Sequence, residues 1–188
     1  MSMTNELPRV LLTDKAGPSQ RLRVDDGSTG FFAGRVFRSY LEQVIPTAGP
    51  PVTIRFTSPI DFILLSQTLT ITQGALRMEV WTGATPSGSW TTMPVIGVNR
   101  MSERPTPLYT AQCTLDFGGT ITGGTAVDLQ LLRTAAQNAQ AQNVAGILPD
   151  GRGLPAGVYY IKFSTLTGGL TVNDAAQMVY ALEWEERV

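Results

Sequence analysis

The sequence predicts an all-β protein, a jelly-roll-like β-sandwich preceded by an extended N-terminal arm. Three observations carry this prediction. Short runs rich in Val, Ile, Phe, Tyr and Thr recur along the chain, Gly and Pro clusters separate them, and apolar and polar residues alternate within several runs. Many short strands divided by turn residues are typical of β-sandwiches and jelly rolls. We therefore divide the chain into an arm, residues 1–30, and a β-sandwich domain, residues 31–188.

The arm is polar, weakly patterned and interrupted by glycine and proline. Leu7, Val10, Leu11 and Leu12 are spaced for one short strand, and turn residues follow in two places. Terminal segments of this kind are usually poorly ordered unless something ties them down. We expect the arm to be held either by its own domain or by a neighbouring chain.

Nine strands are predicted in the domain. They are Gly34–Ile45, Val52–Phe56, Phe62–Thr72, Leu76–Thr82, Met93–Val98, Leu108–Phe117, Val127–Leu132, Gly157–Phe163 and Ala176–Glu185. Successive side chains of a strand point to opposite faces of the sheet. In the fourth strand, this places Leu76, Met78 and Val80 inward and Arg77 and Glu79 outward.

One segment, 134–145, contains the alanine and glutamine that favour a helix. Asn138 and Asn143 do not favour one, and no apolar stripe larger than alanine runs through the segment. A short exposed helix and a surface loop are therefore both compatible with this sequence.

Composition excludes several classes of function. The 188 residues carry a formal net charge of −1 and include no histidine and one cysteine, Cys113. Without histidine there is no Ser-His-Asp or Cys-His hydrolase and no histidine-ligated zinc. One cysteine forms neither an internal disulfide nor a thiolate cluster. The low net charge does not favour a general nucleic-acid binder, and no run of about 18 apolar residues would span a membrane. We expect no cofactor.

The remaining acids offer one catalytic hypothesis. Glu183, Glu185 and Glu186 crowd the C-terminal end of the chain beside Arg187. A glycosidase needs two carboxylates across a cleft, one of them in a dry environment. We favour a solvated last strand, or an ion pair with a neighbour, over catalysis.

Seven residues are candidates for contact with a partner. Trp81 and Trp90 flank a turn-rich segment, where exposed rings would stack on sugars. The alternative, which we favour, is that Trp81 caps the core and that Trp90 packs at an edge or an interface. Four others, Arg35, Arg38, Arg100 and Arg104, belong to an unusual excess of arginine, 12 Arg to 2 Lys, which is typical of interfaces made by planar, bidentate pairs. The seventh is Glu103, an acid that lies between Arg100 and Arg104 in a compact polar connection. Ordinary loop ion pairs are the alternative, and exposed pairs contribute little to stability.

Four strings of residues resemble small virion structural proteins of tailed bacteriophages, particularly short-tailed ones. The strings are Phe31–Arg35 with Phe37 and Arg38, Asn99–Pro105, Gly153–Tyr160 and Leu182–Arg187. The resemblance extends from about residue 31 to the end of the chain. It implies a jelly-roll-like subunit on the particle, of the kind called decoration, cement or head protein, and it implies no catalytic residues.

On this reading the protein decorates and stabilises the phage capsid by binding adjacent capsid subunits. The expected partners are the major capsid protein and copies of this chain, as a dimer or trimer, without sequence-specific nucleic acid or a membrane. We expect synthesis in the host cytoplasm and a final place on the capsid exterior. One alternative is a tail, adaptor or host-binding virion protein that binds sugar through Trp81 and Trp90. A more remote alternative is a jelly-roll glycosidase.

Overall fold

A computed structural model describes residues 13–14, 21–22, 29–46, 49–99, 109–133, 141–145, 152–166 and 175–187. Within them the chain is built from β-strands and one four-residue helical turn, α1, at Thr29–Phe32. The strands are β1 Thr13–Asp14, β2 Arg21–Leu22, β3 Val36–Ile45, β4 Val52–Ser58, β5 Phe62–Gln73, β6 Ala75–Thr82, β7 Thr85–Ser87, β8 Thr91–Thr92, β9 Ile96–Gly97, β10 Thr114–Phe117, β11 Thr120–Thr122, β12 Thr125–Arg133, β13 Ala141–Ala145, β14 Arg152–Leu154, β15 Gly157–Thr165 and β16 Ala176–Glu186. The prediction of an all-β fold is confirmed.

Two six-stranded antiparallel sheets form the body of the protein. Sheet I has the order β12-β6-β15-β4-β10-β8. Sheet II has the order β13-β5-β16-β3-β9, and β14 also pairs with β5. Two smaller two-stranded sheets join β1 to β2 and β7 to β11. The long strands β15 and β16 therefore occupy interior positions, one in each sheet.

The eight longer strands alternate between the two sheets along most of the chain. In chain order they are β3, β4, β5, β6, β12, β13, β15 and β16. We number these eight strands 1 to 8 in that order. Neighbouring strands then follow the order 1-8-3-6 in sheet II (β3, β16, β5, β13) and the order 2-7-4-5 in sheet I (β4, β15, β6, β12). Most neighbours in a sheet are consequently distant in sequence.

The core lies between the sheets and is built from alternate residues of their strands. Leu76 and Met78 of β6 are fully buried, as the alternation predicts. Phe56 of β4 meets Trp184 of β16 edge to face, with 5.3 Å between the ring centroids. Phe163 of β15 meets Tyr180 of β16 in the same way at 5.1 Å. Aromatic pairs in this geometry stabilise a packed core beyond the apolar area that they bury.

All nine predicted strands are present, although the fifth and sixth are much shorter than predicted. The sequence did not predict α1, which lies across the boundary expected at residue 30, nor β1, β2, β7, β8, β11, β13 and β14. The short arm strand predicted from Leu7 to Leu12 lies outside the described residues. Both alternatives for 134–145, a helix and a surface loop, are wrong for Ala141–Ala145, which is a strand that pairs with β5. Residues 134–140 and most of the arm lie outside the described residues. Glu79 is on the outer face as predicted, yet it is buried there beside Arg77, 2.7 Å away.

Candidate interaction surfaces

The C-terminal end of β16 carries a buried carboxylate. Glu186 is fully buried, and its side chain accepts hydrogen bonds from the backbone N–H of Gln112 at 3.0 Å and of Cys113 at 2.9 Å. The Trp184 indole N–H lies at 3.5 Å from the same carboxylate. Hydrogen bonds from backbone amides satisfy an ionised carboxylate in a dry site. We call Glu186 and these two amides the carboxylate clasp.

The prediction of a solvated last strand is wrong for its C-terminal end. Glu185 and Glu186 are both buried, because β16 lies between β3 and β5 and the segment before β10 covers its end. Glu185 forms an ion pair with Arg187 at 3.5 Å, and its side chain fills the space that a Cβ at Gly30 would need. The Glu186 carboxylate therefore holds the segment before β10 against β16, and the Glu185 side chain packs against Gly30.

Cys113 is a free, buried cysteine beside the clasp. Its thiol donates a hydrogen bond to the Ser58 hydroxyl at 3.2 Å. Burial raises the pKa of the Cys113 thiol to about 12, and the negative charge of Glu186 adds to the shift. The reactive form of cysteine is the thiolate, so this thiol is protonated and unreactive near neutral pH.

Residues of Phe31–Arg35, Gly153–Tyr160 and Leu182–Arg187, together with Asn99, are joined by hydrogen bonds at the clasp end of the sandwich. The Glu186 N–H donates to the Arg35 carbonyl, and the Asn99 side chain donates to the Phe31 carbonyl. Asp61 joins two other segments, because its carbonyl accepts from the Arg187 N–H and its carboxylate accepts from the Ala156 N–H. Residues distant in sequence thus form one continuous hydrogen-bonded region.

The predicted arginine contacts divide between this region and sheet II. Arg35 lies at the clasp end, and its Nε is buried without a hydrogen-bond partner among the described residues. Arg38 is exposed on the outer face of sheet II, opposite Glu183 of β16. Arg100, Glu103 and Arg104 lie outside the described residues. The role of these residues in binding a partner stays a prediction.

A polar and aromatic row crosses the outer face of sheet I. Strand register places Trp81, Tyr160, Arg55, Asp116 and Thr92 side by side, one from each of five adjacent strands. Arg55 donates to the Asp116 carboxylate at 2.7 Å, and the Thr92 hydroxyl donates to the same carboxylate at 3.1 Å. We call these five residues, together with Trp90, which lies over them, the aromatic row.

Both tryptophans of the row are half-buried and contact cations of the same chain. The Arg55 guanidinium lies 4.7 Å from the centre of the Trp90 ring, and the Lys162 ammonium lies 5.8 Å from the centre of the Trp81 ring. Trp90 also packs near Tyr160, with 6.3 Å between the ring centroids. A ring face that already holds a cation is less open to a sugar. Sugar binding by Trp81 and Trp90 stays a prediction.

A cleft of about 60 Å³ opens between the sheets beside β12 and β14. Its lining is mainly apolar and includes Phe56, Ile161 and Leu182. Asp128 and Arg152 lie 3.9 Å apart among its lining residues. Asp128 is the one acid among the described lining residues, whereas the glycosidase hypothesis calls for two carboxylates across a cleft.

In the described part of the chain, no cluster of three or more Cys, Asp or Glu side chains is arranged to hold a metal ion. No helix among the same residues has the length and hydrophobicity to cross a membrane.

No protein-family model matches the chain. No curated protein matches it either.

Proposed function

We propose that this protein is a virion structural protein that decorates the capsid of a tailed bacteriophage and stabilises it by binding adjacent capsid subunits. We also infer a jelly roll within the β-sandwich, because the two sheets hold the eight longer strands in the orders 1-8-3-6 and 2-7-4-5. A cement protein must be a stiff body that grips its neighbours, and it needs no bond-making chemistry. The sandwich provides such a body.

The observation that carries the proposal is the meeting of three resembling strings and Asn99 of the fourth at the clasp end. Glu186, Arg35 and Asn99 join three of the strings directly, and Asp61 joins Ala156 of the fourth to Arg187. Their shared location supports a resemblance of one structural region rather than of four unrelated peptides.

The chemistry of the described residues supports a binding role. The acids most suggestive of catalysis, Glu185 and Glu186, are engaged with Arg187 and with backbone amides. The Cys113 thiol is protonated because burial raises its pKa to about 12. These groups maintain the fold, which is consistent with a protein whose function is attachment.

The arm supplies the proposed grip. In the described part of the arm, β1 and β2 pair with each other and with no strand of the two large sheets. Extended segments bind neighbours by adding main-chain hydrogen bonds, and repetition over a symmetric shell multiplies weak contacts into firm attachment. The sandwich of each copy would therefore lie on one capsid subunit, and its arm would bind the neighbouring capsid subunit.

Cosedimentation with capsids that lack this protein tests the proposal. Deletion of residues 1–28 keeps α1, whose Gly30 packs against Glu185. We expect the full chain to sediment with capsids and the deletion variant to lose about two orders of magnitude in attachment while keeping its thermal unfolding transition. A second variant, with residues 1–28 replaced by a Gly/Ser segment of equal length, controls for bulk. Undiminished attachment of both variants would contradict an anchoring arm, and no attachment of the full chain would contradict the function itself.

A further inference from the structure

The cleft between the two sheets has the properties of a site for a small ligand. Its lining is mainly apolar and comes from both sheets, from β4, β6 and β15 on one side and from β5 and β16 on the other. Its volume of about 60 Å³ is several times the roughly 10–15 Å³ that one water molecule needs. Sites for small ligands are typically apolar hollows with a few polar groups that fix the orientation of the ligand.

Tyr180 of β16 brings one such polar group to the cleft. The residue is 1% exposed, and its hydroxyl has no hydrogen-bond partner among the described residues. Burial raises the pKa of Tyr180, the nearby Gln67 side chain lowers it, and the negative charge of Asp128 raises it further. Gln67 and Asp128 both line the cleft, so the hydroxyl that lies near them faces the cleft.

The polar neighbours of this hydroxyl are engaged elsewhere. Gln67 is buried, its side-chain amide donates to the Met78 sulfur at 3.2 Å, and it makes no hydrogen bond of normal geometry with Tyr180. The Tyr159 hydroxyl, from another residue of the lining, donates to the Pro155 carbonyl at 2.8 Å. A buried donor without an acceptor is costly, so the Tyr180 hydroxyl calls for an oxygen atom from outside the chain.

The charges beside the cleft favour a neutral ligand. Asp128 and Arg152 lie 3.9 Å apart, with 33% and 53% of their side chains exposed. Asp128 also accepts a hydrogen bond from the Leu129 backbone N–H at 2.8 Å. The two opposite charges balance each other, and a charged ligand would lose its water among apolar side chains without a counter-charge of its own.

We propose that the cleft binds a small neutral amphiphile with an aliphatic body of about four carbons and one hydroxyl or carbonyl oxygen. The aliphatic body lies among the apolar side chains of both sheets, and the oxygen accepts the hydrogen bond of the Tyr180 hydroxyl. Such a site lies within the sandwich and does not depend on attachment to capsids, so it adds a ligand to the proposed function.

An NMR titration of the full chain with 2-methyl-1-propanol, which has four carbons and one hydroxyl, tests the proposal. We expect the methyl signals of Ile161 and Leu182, two lining residues, to shift to saturation with a dissociation constant on the order of millimolar. Methanol keeps the hydroxyl but lacks the aliphatic body, so at equal concentrations it should not saturate either signal. The absence of a saturable shift, or an equal response to methanol, would overturn the proposal.

Tyr180→Phe tests the hydrogen bond while it keeps the shape of the side chain. We expect it to raise the dissociation constant of 2-methyl-1-propanol about three- to tenfold, which is the usual effect of one lost hydrogen bond. Without the alcohol, the midpoint of thermal unfolding should not fall, because the hydroxyl has no partner among the described residues to lose. Unchanged affinity, or a lower midpoint, would overturn the proposal.

Val127→Trp tests the location of the ligand. Val127 lines the cleft but is 49% exposed, so a larger ring there should block the cleft and leave the thermal unfolding transition in place. Leu131→Trp is the matched control, because Leu131 is an exposed residue of the same strand that is not among the lining residues. We expect no saturable shift with Val127→Trp and an affinity equal to that of the wild type with Leu131→Trp. If Val127→Trp binds as tightly as the wild type, the cleft is not the site, and the capsid cosedimentation assay still judges the proposed function on its own.

Discussion

The carboxylate clasp and the aromatic row are both polar clusters that join distant parts of the chain, but they differ in burial. The Glu186 carboxylate is fully buried and is held by backbone amides of the segment before β10. The Arg55 and Asp116 side chains of the row are 28% and 15% exposed. Water competes for hydrogen bonds at the row and not at the clasp. Burial should therefore decide how much each cluster stabilises the fold.

The comparison also bears on function. Both clusters use side chains that sequence reasoning associates with catalysis or sugar binding, namely acids and tryptophans. In the structure Glu186 holds a chain segment, and Trp90 covers the Arg55–Asp116 ion pair. These groups are engaged within the chain, so the arm is the expected site of partner binding.

Removal of the clasp carboxylate should have the largest effect. Glu186→Ala leaves the part-buried N–H of Gln112 and the buried N–H of Cys113 without an acceptor, and we expect the free energy of unfolding to fall by about 3–5 kcal/mol. Urea denaturation measures this change. Glu183→Ala, at a half-buried residue of the same strand, is the control and should cost less than about 1 kcal/mol. If the free energy of unfolding falls equally in the two variants, the clasp contributes no more to stability than a half-buried glutamate of the same strand.

Removal of the ring that covers the aromatic row should have an intermediate effect. Trp90 is half-buried and contacts Arg55, and its ring occupies the space beside Gly119. We expect Trp90→Ala to lower the free energy of unfolding by about 1.5–3 kcal/mol, less than a fully buried tryptophan would cost. Ser89→Ala, at the exposed neighbouring residue, should change it by less than about 0.5 kcal/mol. If Trp90→Ala lowers the free energy of unfolding as much as Glu186→Ala does, burial does not decide how much each cluster stabilises the fold.

The smallest effect is expected from Arg55→Lys. Lysine keeps the charge beside Asp116 but loses the planar group that stacks on Trp90. We expect Arg55→Lys to lower the free energy of unfolding by about 0.5–1 kcal/mol. This decrease should vanish when Trp90 is already alanine. A double-mutant cycle with Trp90→Ala measures this dependence. If Arg55→Lys lowers the free energy of unfolding equally in the presence and absence of the Trp90 ring, the ring and the guanidinium stabilise the fold independently.

The fold could be predicted where strands have one face in the core. Alternation around Leu76 and Met78 shows directly in the sequence, and both residues are fully buried. The exposed pair β7 and β11 has no such pattern, because Thr85–Ser87 and Thr120–Thr122 consist mostly of threonine, serine and proline. β13 was obscured for another reason. Its alanine and glutamine favour a helix, and pairing with the edge of β5 overrides that preference.

The candidate surfaces could be predicted only in part. Trp81 and Trp90 were identified by residue type, but their cation partners Lys162 and Arg55 come from strands far away in sequence. The position of Arg55 on the outer face could have been found from the alternation of β4. Nothing local to Glu186 indicates burial, since its amide partners lie more than 70 residues away. Contacts of this kind depend on the strand order of the whole sandwich.

The most direct test of the account is the position of this protein in the particle, measured by electron cryomicroscopy of the virion with the chain located in the density. The account predicts many copies on the outside of the shell, each with its sandwich on one capsid subunit and its N-terminal residues on the next. Copies confined to the tail or to a single vertex, or a shell that carries none, would contradict it.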